Sequence, residues 1–281
     1  MPHRAAHLCP CCTAAAHILS TARSGELRRY SILTAKGMHA MDMIAPDEPA
    51  FVRSALEGRC LVLTLNRPAR RNAIDGGMIA VIEEALDRIE RDERVRGLIL
   101  AGAGPVFCAG ADLKEPLAAP LERARHMHRL ILRLRALPVV SIAAIDGPAL
   151  GGGLELAMGC TFRVAATSAT LGLPEIGIGF IPGFGGTQLL PRIVGAPRAL
   201  DMILSGAPID ATAGHAIGLV DHLAEPGRAL SCAEHVMARY VRHDRAGIAA
   251  ALAAVRAGLE LPLEAGLALE LAEQTKLAAR R

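Results

Sequence analysis

From residue 51 onward the apolar positions follow two rhythms. Residues 51–55 and 60–66 read as two strands around a turn at Glu57-Gly58, the second of them alternating. The second, LVLTL, stops at Asn66-Arg67-Pro68, where proline withdraws a ladder donor. Residues 76–91 place Met78, Ile79, Ile82, Leu86 and Ile89 three or four apart with charges opposite, which predicts an amphipathic helix. Residues 97–101 (GLILA) and 139–145 are continuously apolar, as strands are in a sheet covered on both faces. Between them, residues 121–137 predict a long helix closed by Pro138. A strand-like stretch over 161–173 follows a further helical pattern that begins at three glycines, Gly151, Gly152 and Gly153. Strand, helix, strand, loop, helix, strand, loop, helix is the order of a layered α/β core with right-handed crossovers.

After residue 188 the pattern turns mainly helical. Short helices over 189–194, 197–204 and 211–216, a brief strand over 219–223, and longer helices over 228–242, 248–259 and 263–279 are expected. The chain divides into an extension over 1–45, an α/β core over 46–195 that carries the candidate chemistry, and a helical part over 196–281. In the last helix Leu263, Leu267, Leu271 and Ala272 form an apolar stripe that calls for a cover.

Composition narrows the function classes. Of 281 residues 52% are hydrophobic but only 2% aromatic, with no tryptophan, so aliphatic side chains fill the core and a base-stacking platform is disfavoured. The net charge of +3 is uneven: residues 1–41 hold Arg4, Arg23, Arg28, Arg29 and Lys36 against Glu26 alone, which leaves the body near neutral. That opposes a nucleic-acid or membrane patch on the body, and with it a non-catalytic RNA-binding reading. Seven cysteines in a chain of this size argue for a reducing compartment, and a cytoplasmic location is expected. Residues 1–45 have no sustained period and no apolar signal-peptide run, and read as a disordered extension. They are basic, as transit peptides are, and Met38, Met41 and Met43 are alternative starts. Their Cys9, Cys11, Cys12, His3, His7 and His17 match no closed zinc spacing, so no metal is expected.

The candidate chemistry lies in three glycine-rich stretches. Gly151-Gly152-Gly153-Leu154-Glu155 opens a helix whose first N–H groups have no intrahelical partner and can face a developing negative charge. Taken alone it reads equally as a tight helix entry. Residues 108–114 (CAGADLK) follow a buried strand, the usual edge for ligands in α/β sheets, and Lys114, one of only three lysines, suits a phosphate or a solvated helix start. In residues 174–179 (PEIGIG) Glu175 has apolar neighbours that would raise its pKa. A structural alternative has it cap a helix or pair with an arginine such as Arg163 or Arg192. No dinucleotide fingerprint, Walker A or G-x-S-x-G pattern occurs. Two donor loops and two carboxylates together make a site for chemistry through an enolate.

In this order and spacing, residues 66–75 (NRPARRNAID), 97–114, 138–160, 171–188 and 205–221 resemble the enoyl-CoA hydratase/isomerase, or crotonase, superfamily, over roughly residues 53–268. The resemblance implies a spiral of ββα units with a helical C-terminal part that mediates trimers or hexamers, and an acyl-CoA thioester substrate. Coenzyme A is then part of the substrate, and no separate cofactor is implied. By position it makes the N–H groups of Ala111 and Gly152 the oxyanion donors and Glu155 and Glu175 the two glutamates that add or remove water. It places Ala111, Asp112, Leu113 and Lys114 along coenzyme A, with Arg70 or Arg71 at its phosphates. Leu117, Phe180 and Phe184 are expected around the acyl group. Isomerase members typically lack one of the glutamates, so a hydratase of 2-enoyl-CoA is expected, with isomerisation or dehydration of an unusual 3-hydroxyacyl-CoA as the alternative. Three departures stand out. Thr161 occupies a position usually held by aspartate, and Leu189 one usually held by arginine. The chain also ends at Arg281 without the tail that covers coenzyme A, so a high KM is expected.

Overall fold

The computed structural model describes residues 51–114 and 120–280. The 1–45 extension with its Cys/His cluster, and Leu117, lie outside these residues. The hairpin is formed by β1 (Val52–Glu57) and β2 (Cys60–Leu65), antiparallel, with Gly58 at φ 60° in the turn. A 3₁₀ turn at Pro68–Arg70 leads into α1 (Gly76–Arg91), whose first turn is capped by the Asp75 carboxylate accepting from Met78 N at 2.8 Å. Then come β3 (Gly97–Gly102), α2 (Pro120–Ala136), β4 (Val140–Ile145), β5 (Ala149–Leu150) and α3 (Gly152–Gly159). β6 (Phe162–Ala166), β7 (Thr170–Gly172) and a 3₁₀ turn at Pro174–Ile178 follow. The remainder is α4 (Gly186–Val194), α5 (Ala196–Ser205), β8 (Ile209–Asp210), α6 (Ala211–Ala216), β9 (His222–Ala224), α7 (Ala229–Val241), α8 (Arg245–Gly258) and α9 (Leu263–Ala278).

The main sheet has the order β1-β2-β3-β4-β6-β9 and is parallel from β2 onward; β5, β7 and β8 form a small second sheet. The strand-like stretch over 161–173 is thus two strands in two different sheets. The continuous apolar runs have the expected cause. In β4, Ala143 and Ile145 join a core with α1, α2 and α3, while Val140, Ile142 and Ala144 face a second core under α7 with Ala229, Cys232, Val236 and Met237. Each fully buried Leu or Ile in these layers contributes about 1.5–3 kcal/mol relative to exposure.

The sheet reaches past residue 195, because β9 pairs with β6 as its sixth strand. What stands clear of the layers is the hairpin of α8 and α9. In α9 no residue is buried, and Leu263, Leu267 and Leu271 are exposed. The stripe expected to be covered is uncovered within this chain, because α9 packs chiefly on α8.

Candidate active site

The loops after β3 and β4 meet at the carboxyl ends of those strands, and their backbones are in contact. Cys108 N donates to Pro148 O at 3.2 Å and Leu150 N to Cys108 O at 3.0 Å. A methyl group built on Gly152 would lie 3.4 Å from Ala111 N, and one on Gly110 would lie 3.4 Å from Gly152 N. The two nitrogens therefore border one small space. Neither donates its N–H to any described residue. Gly152 owes this to its place at the start of α3, where no carbonyl precedes it in register.

Glycine is required at this entry for two separate reasons. Gly151 has φ 49°, a region most side chains avoid, and a Cβ there would lie 2.7 Å from Glu175 Oε1. At Gly153 a Cβ would collide with the Cys108 carbonyl oxygen. All eight residues of α3 are buried, Glu155 among them.

The two glutamates occupy contrasting environments. Glu155 Oε1 accepts from Phe184 N at 2.8 Å, in the loop before α4, and from Gly186 N at 2.6 Å, the first residue of α4. Burial pushes its pKa up to about 7, with the Gly186 N–H opposing this and the Glu175 carboxyl adding to it. Glu175 is also raised, chiefly by burial, and its Oε2 is buried with no hydrogen-bond partner. The arginine pairings considered for it are not formed: Arg163 binds Asp221 at 2.7 Å and Arg192 binds Glu260 at 3.1 Å. Two N–H donors favour an anion at Glu155, whereas at Glu175 only its own backbone N–H opposes the rise. Both carboxyls are held above the usual carboxylate range, and the two titrate as a pair.

The remaining expected residues divide. Leu113, Lys114, Arg70 and Arg71 lie on the surface beside the loop after β3. Asp112 is turned inward: its carboxylate takes Arg67 Nη2 at 2.9 Å and Lys114 N at 3.0 Å, which hold its pKa down. Phe184 is buried against Gly152, while Phe180 is exposed.

The family model for enoyl-CoA hydratase/isomerase matches residues 56–281. The chain belongs to this family. It is 40% identical over 246 residues to the enoyl-CoA isomerase/hydratase fer4 of Mycosarcoma maydis, covering 83% of this chain and 88% of that one. It is 35% identical to the short-chain-enoyl-CoA hydratase of Clostridium acetobutylicum, over 76% and 84% of the two chains. Among solved structures it resembles an enoyl-CoA hydratase from Bacillus anthracis, with a TM-score of 0.77 at 32% identity, covering 80% and 90%. The fold is the crotonase fold, as the motif order implies.

Residues that sequence reasoning passed over brace this enoyl-CoA hydratase/isomerase site. Asn72, fully buried at φ 53°, donates to the carbonyls of Ala103, Val106 and Phe107 at 2.9, 2.7 and 3.2 Å and accepts from Arg67 N at 2.9 Å. Arg67 ties Asp75 and Asp112 together, each at 2.9 Å. The signal was an asparagine in an arginine-rich, turn-forming run, since asparagine tolerates the left-handed region better than its neighbours. His128 of α2 shares a 2.8 Å hydrogen bond with Gly183 O, one residue before the Phe184 N–H that serves Glu155.

Among the described residues no helix is long and apolar enough to cross a membrane. No group of three or more His, Cys, Asp and Glu side chains among them is placed to hold a metal.

Proposed function

We propose that this chain adds water reversibly across the C2=C3 bond of a 2-enoyl-CoA thioester. The thioester oxygen lies between the N–H groups of Ala111 and Gly152, which stabilise the enolate that forms as C3 is attacked. Glu155, ionised, takes a proton from water as its oxygen bonds to C3. Glu175, protonated, gives its proton to C2, and the net change is addition of one water. The observation that carries this reading is the contrast between the carboxyls: Glu155 Oε1 holds two backbone donors, and Glu175 Oε2 has none.

Coenzyme A enters as part of the substrate, with Leu113, Lys114, Arg70 and Arg71 on the surface where it leaves the site. Trimers form through the helical C-terminal part, whose exposed leucines supply the apolar area; light scattering of dilute protein should give a multiple of the chain mass, and a monomer overturns this.

The catalytic test is hydration of crotonyl-CoA, followed by loss of the enoyl thioester absorbance. Glu175→Gln should lower kcat by about 10²–10⁴-fold, the range for a general acid. Glu155→Gln should cost as much. If Glu155→Gln abolishes hydration but double-bond isomerisation persists, the isomerase reading replaces this one.

A further inference from the structure

A second cavity, of about 710 Å³, lies between the C-terminal end of α2 and the α8–α9 hairpin. It is at the amino end of β4, near Pro138, whereas the glutamates lie beyond the carboxyl ends of the strands. Its walls include Leu132, Leu137, Leu252 and Leu277, and three guanidiniums line it as well, those of Arg135, Arg256 and Arg280. The volume is within the range of about 300–1,000 Å³ typical of small-molecule sites.

Those of Arg135 and Arg256 lack the carboxylates that half-buried arginines normally find. Arg256 Nη2 donates to the neutral Thr161 hydroxyl at 2.8 Å, and Arg256 Nη1 to the Arg135 carbonyl. The Thr161 hydroxyl is held in a reciprocal pair with Ser141, whose N donates to it at 3.2 Å while Thr161 N donates to Ser141 Oγ at 2.9 Å. The Arg135 guanidinium hydrogen-bonds to no described residue. Of the carboxylates that line it, Glu273 is bound to Lys276 at 2.6 Å and Glu260 to Arg192 at 3.1 Å. Burial lowers the pKa of both arginines; the charge of Arg192 adds to this at Arg135 while that of Glu260 opposes it, and the charge of Arg135 adds to it at Arg256. The cavity thus combines aliphatic walls with the guanidiniums of Arg135 and Arg256, neither of which forms an ion pair with a described carboxylate; Glu260 acts on Arg135 only through space.

We infer that this cleft binds an amphiphilic monocarboxylate, a medium-chain fatty-acid anion, with its carboxylate on Arg135 and Arg256 and its chain along the leucines. A guanidinium pair matches a carboxylate's two oxygens. A fully polar anion would leave the aliphatic walls unused.

The test is calorimetric titration of the full chain with decanoate below its micelle concentration, in the presence of saturating butyryl-CoA, a thioester with no double bond to hydrate. Decanoate should still bind, because the acyl-CoA site is separate, and uncharged decanol should bind at least tenfold more weakly. Arg135→Gln should weaken decanoate at least tenfold. Thr161→Asp, which sets a carboxylate beside Arg256, should do the same while keeping crotonyl-CoA turnover, so failure to fold cannot explain the loss. Three results overturn the inference: no decanoate heat, decanoate heat equal to that of decanol, or binding unchanged in both variants. A silent titration by a protein whose assembly dissociates in Arg135→Gln would make the cleft an interface between copies instead.

Discussion

Helices α3 and α9 are built on opposite principles. α3 has eight residues and every one is buried; α9 has sixteen and none is. A helix as short as α3 has almost no stability of its own, so its shape is imposed by its surroundings. It exists because glycines allow the β3 loop and Glu175 to close on its entry, and in return its first N–H and Glu155 are fixed against strand ends. α9 is held by its own hydrogen bonds, by leucine, alanine and glutamate of high helix propensity, and by α8. Catalytic groups belong on the first kind of element, where position is over-determined. The second kind is free to present surface.

The largest effect should come from exchanging glycine for alanine in α3. At Gly153 the new Cβ meets the Cys108 backbone carbonyl, which cannot move without shifting the loop that carries Ala111. Gly153→Ala should cost about 3 kcal/mol or more, the upper range for overpacking a core. The midpoint of urea unfolding measures it. A shift equivalent to less than about 1 kcal/mol would mean that the α3 entry is looser than its contacts indicate.

Charge sharpens the same comparison, since α3 carries a carboxylate where it is most costly. Glu155 is raised from 4.5 to about 7. Its contribution to stability is therefore fully present below pH 4.5, where folded and unfolded chains both hold the proton. It is lost as pH rises through about 7, because the unfolded chain releases the proton more readily. Each tenfold difference in proton affinity between the folded and unfolded chains is worth about 1.4 kcal/mol, so the loss is on the order of 3 kcal/mol. Glu155→Gln keeps an oxygen for the Phe184 and Gly186 N–H groups and carries no charge. Its unfolding midpoint should gain on the wild type between about pH 5 and 8, while its hydratase activity falls. Parallel stability curves for the two proteins across that range would refute the raised pKa. In the wild type the activity should fall as pH drops below about 7, when Glu155 takes up its proton.

The same contrast governs how much was legible in the sequence. The layers could be read because GLILA and residues 139–145 can only be strands covered on both faces, and because residues 76–91 keep a helical period. Glu155 and Glu175 were visible as carboxyls among apolar and glycine residues, and the motif order pointed to the family. The hydrogen bonds that distinguish the two carboxyls were not visible, since both donors to Glu155 come from backbone about thirty residues away. Asn72 was hidden for the same reason: its partners are carbonyls, which have no sequence signature. Asp112 stood in a loop expected to face coenzyme A, but Arg67, 45 positions earlier, turns it inward. The uncovered stripe of α9 could be read as a stripe, but a period does not say what lies opposite it.

The smallest effect reverses the sign of the largest. Gly266 lies in the first turns of α9, where an alanine Cβ would be 3.8 Å from the backbone of Gly258, an ordinary van der Waals distance. Its φ is not in the left-handed region, so alanine adopts the native backbone without strain. Alanine loses less conformational freedom than glycine on entering a helix, a difference of about 0.5–1 kcal/mol. Gly266→Ala should therefore stabilise the protein by that amount, or by roughly 2–4 °C for each kcal/mol in a chain of this size. Calorimetry on dilute protein should detect it, with crotonyl-CoA turnover unchanged because no catalytic group touches α9. The two Gly→Ala exchanges then isolate what surrounds each helix, since the chemical change is identical. If Gly266→Ala destabilises instead, the α8–α9 contact is tighter than its open packing indicates, and this hairpin belongs with the over-determined parts of the fold.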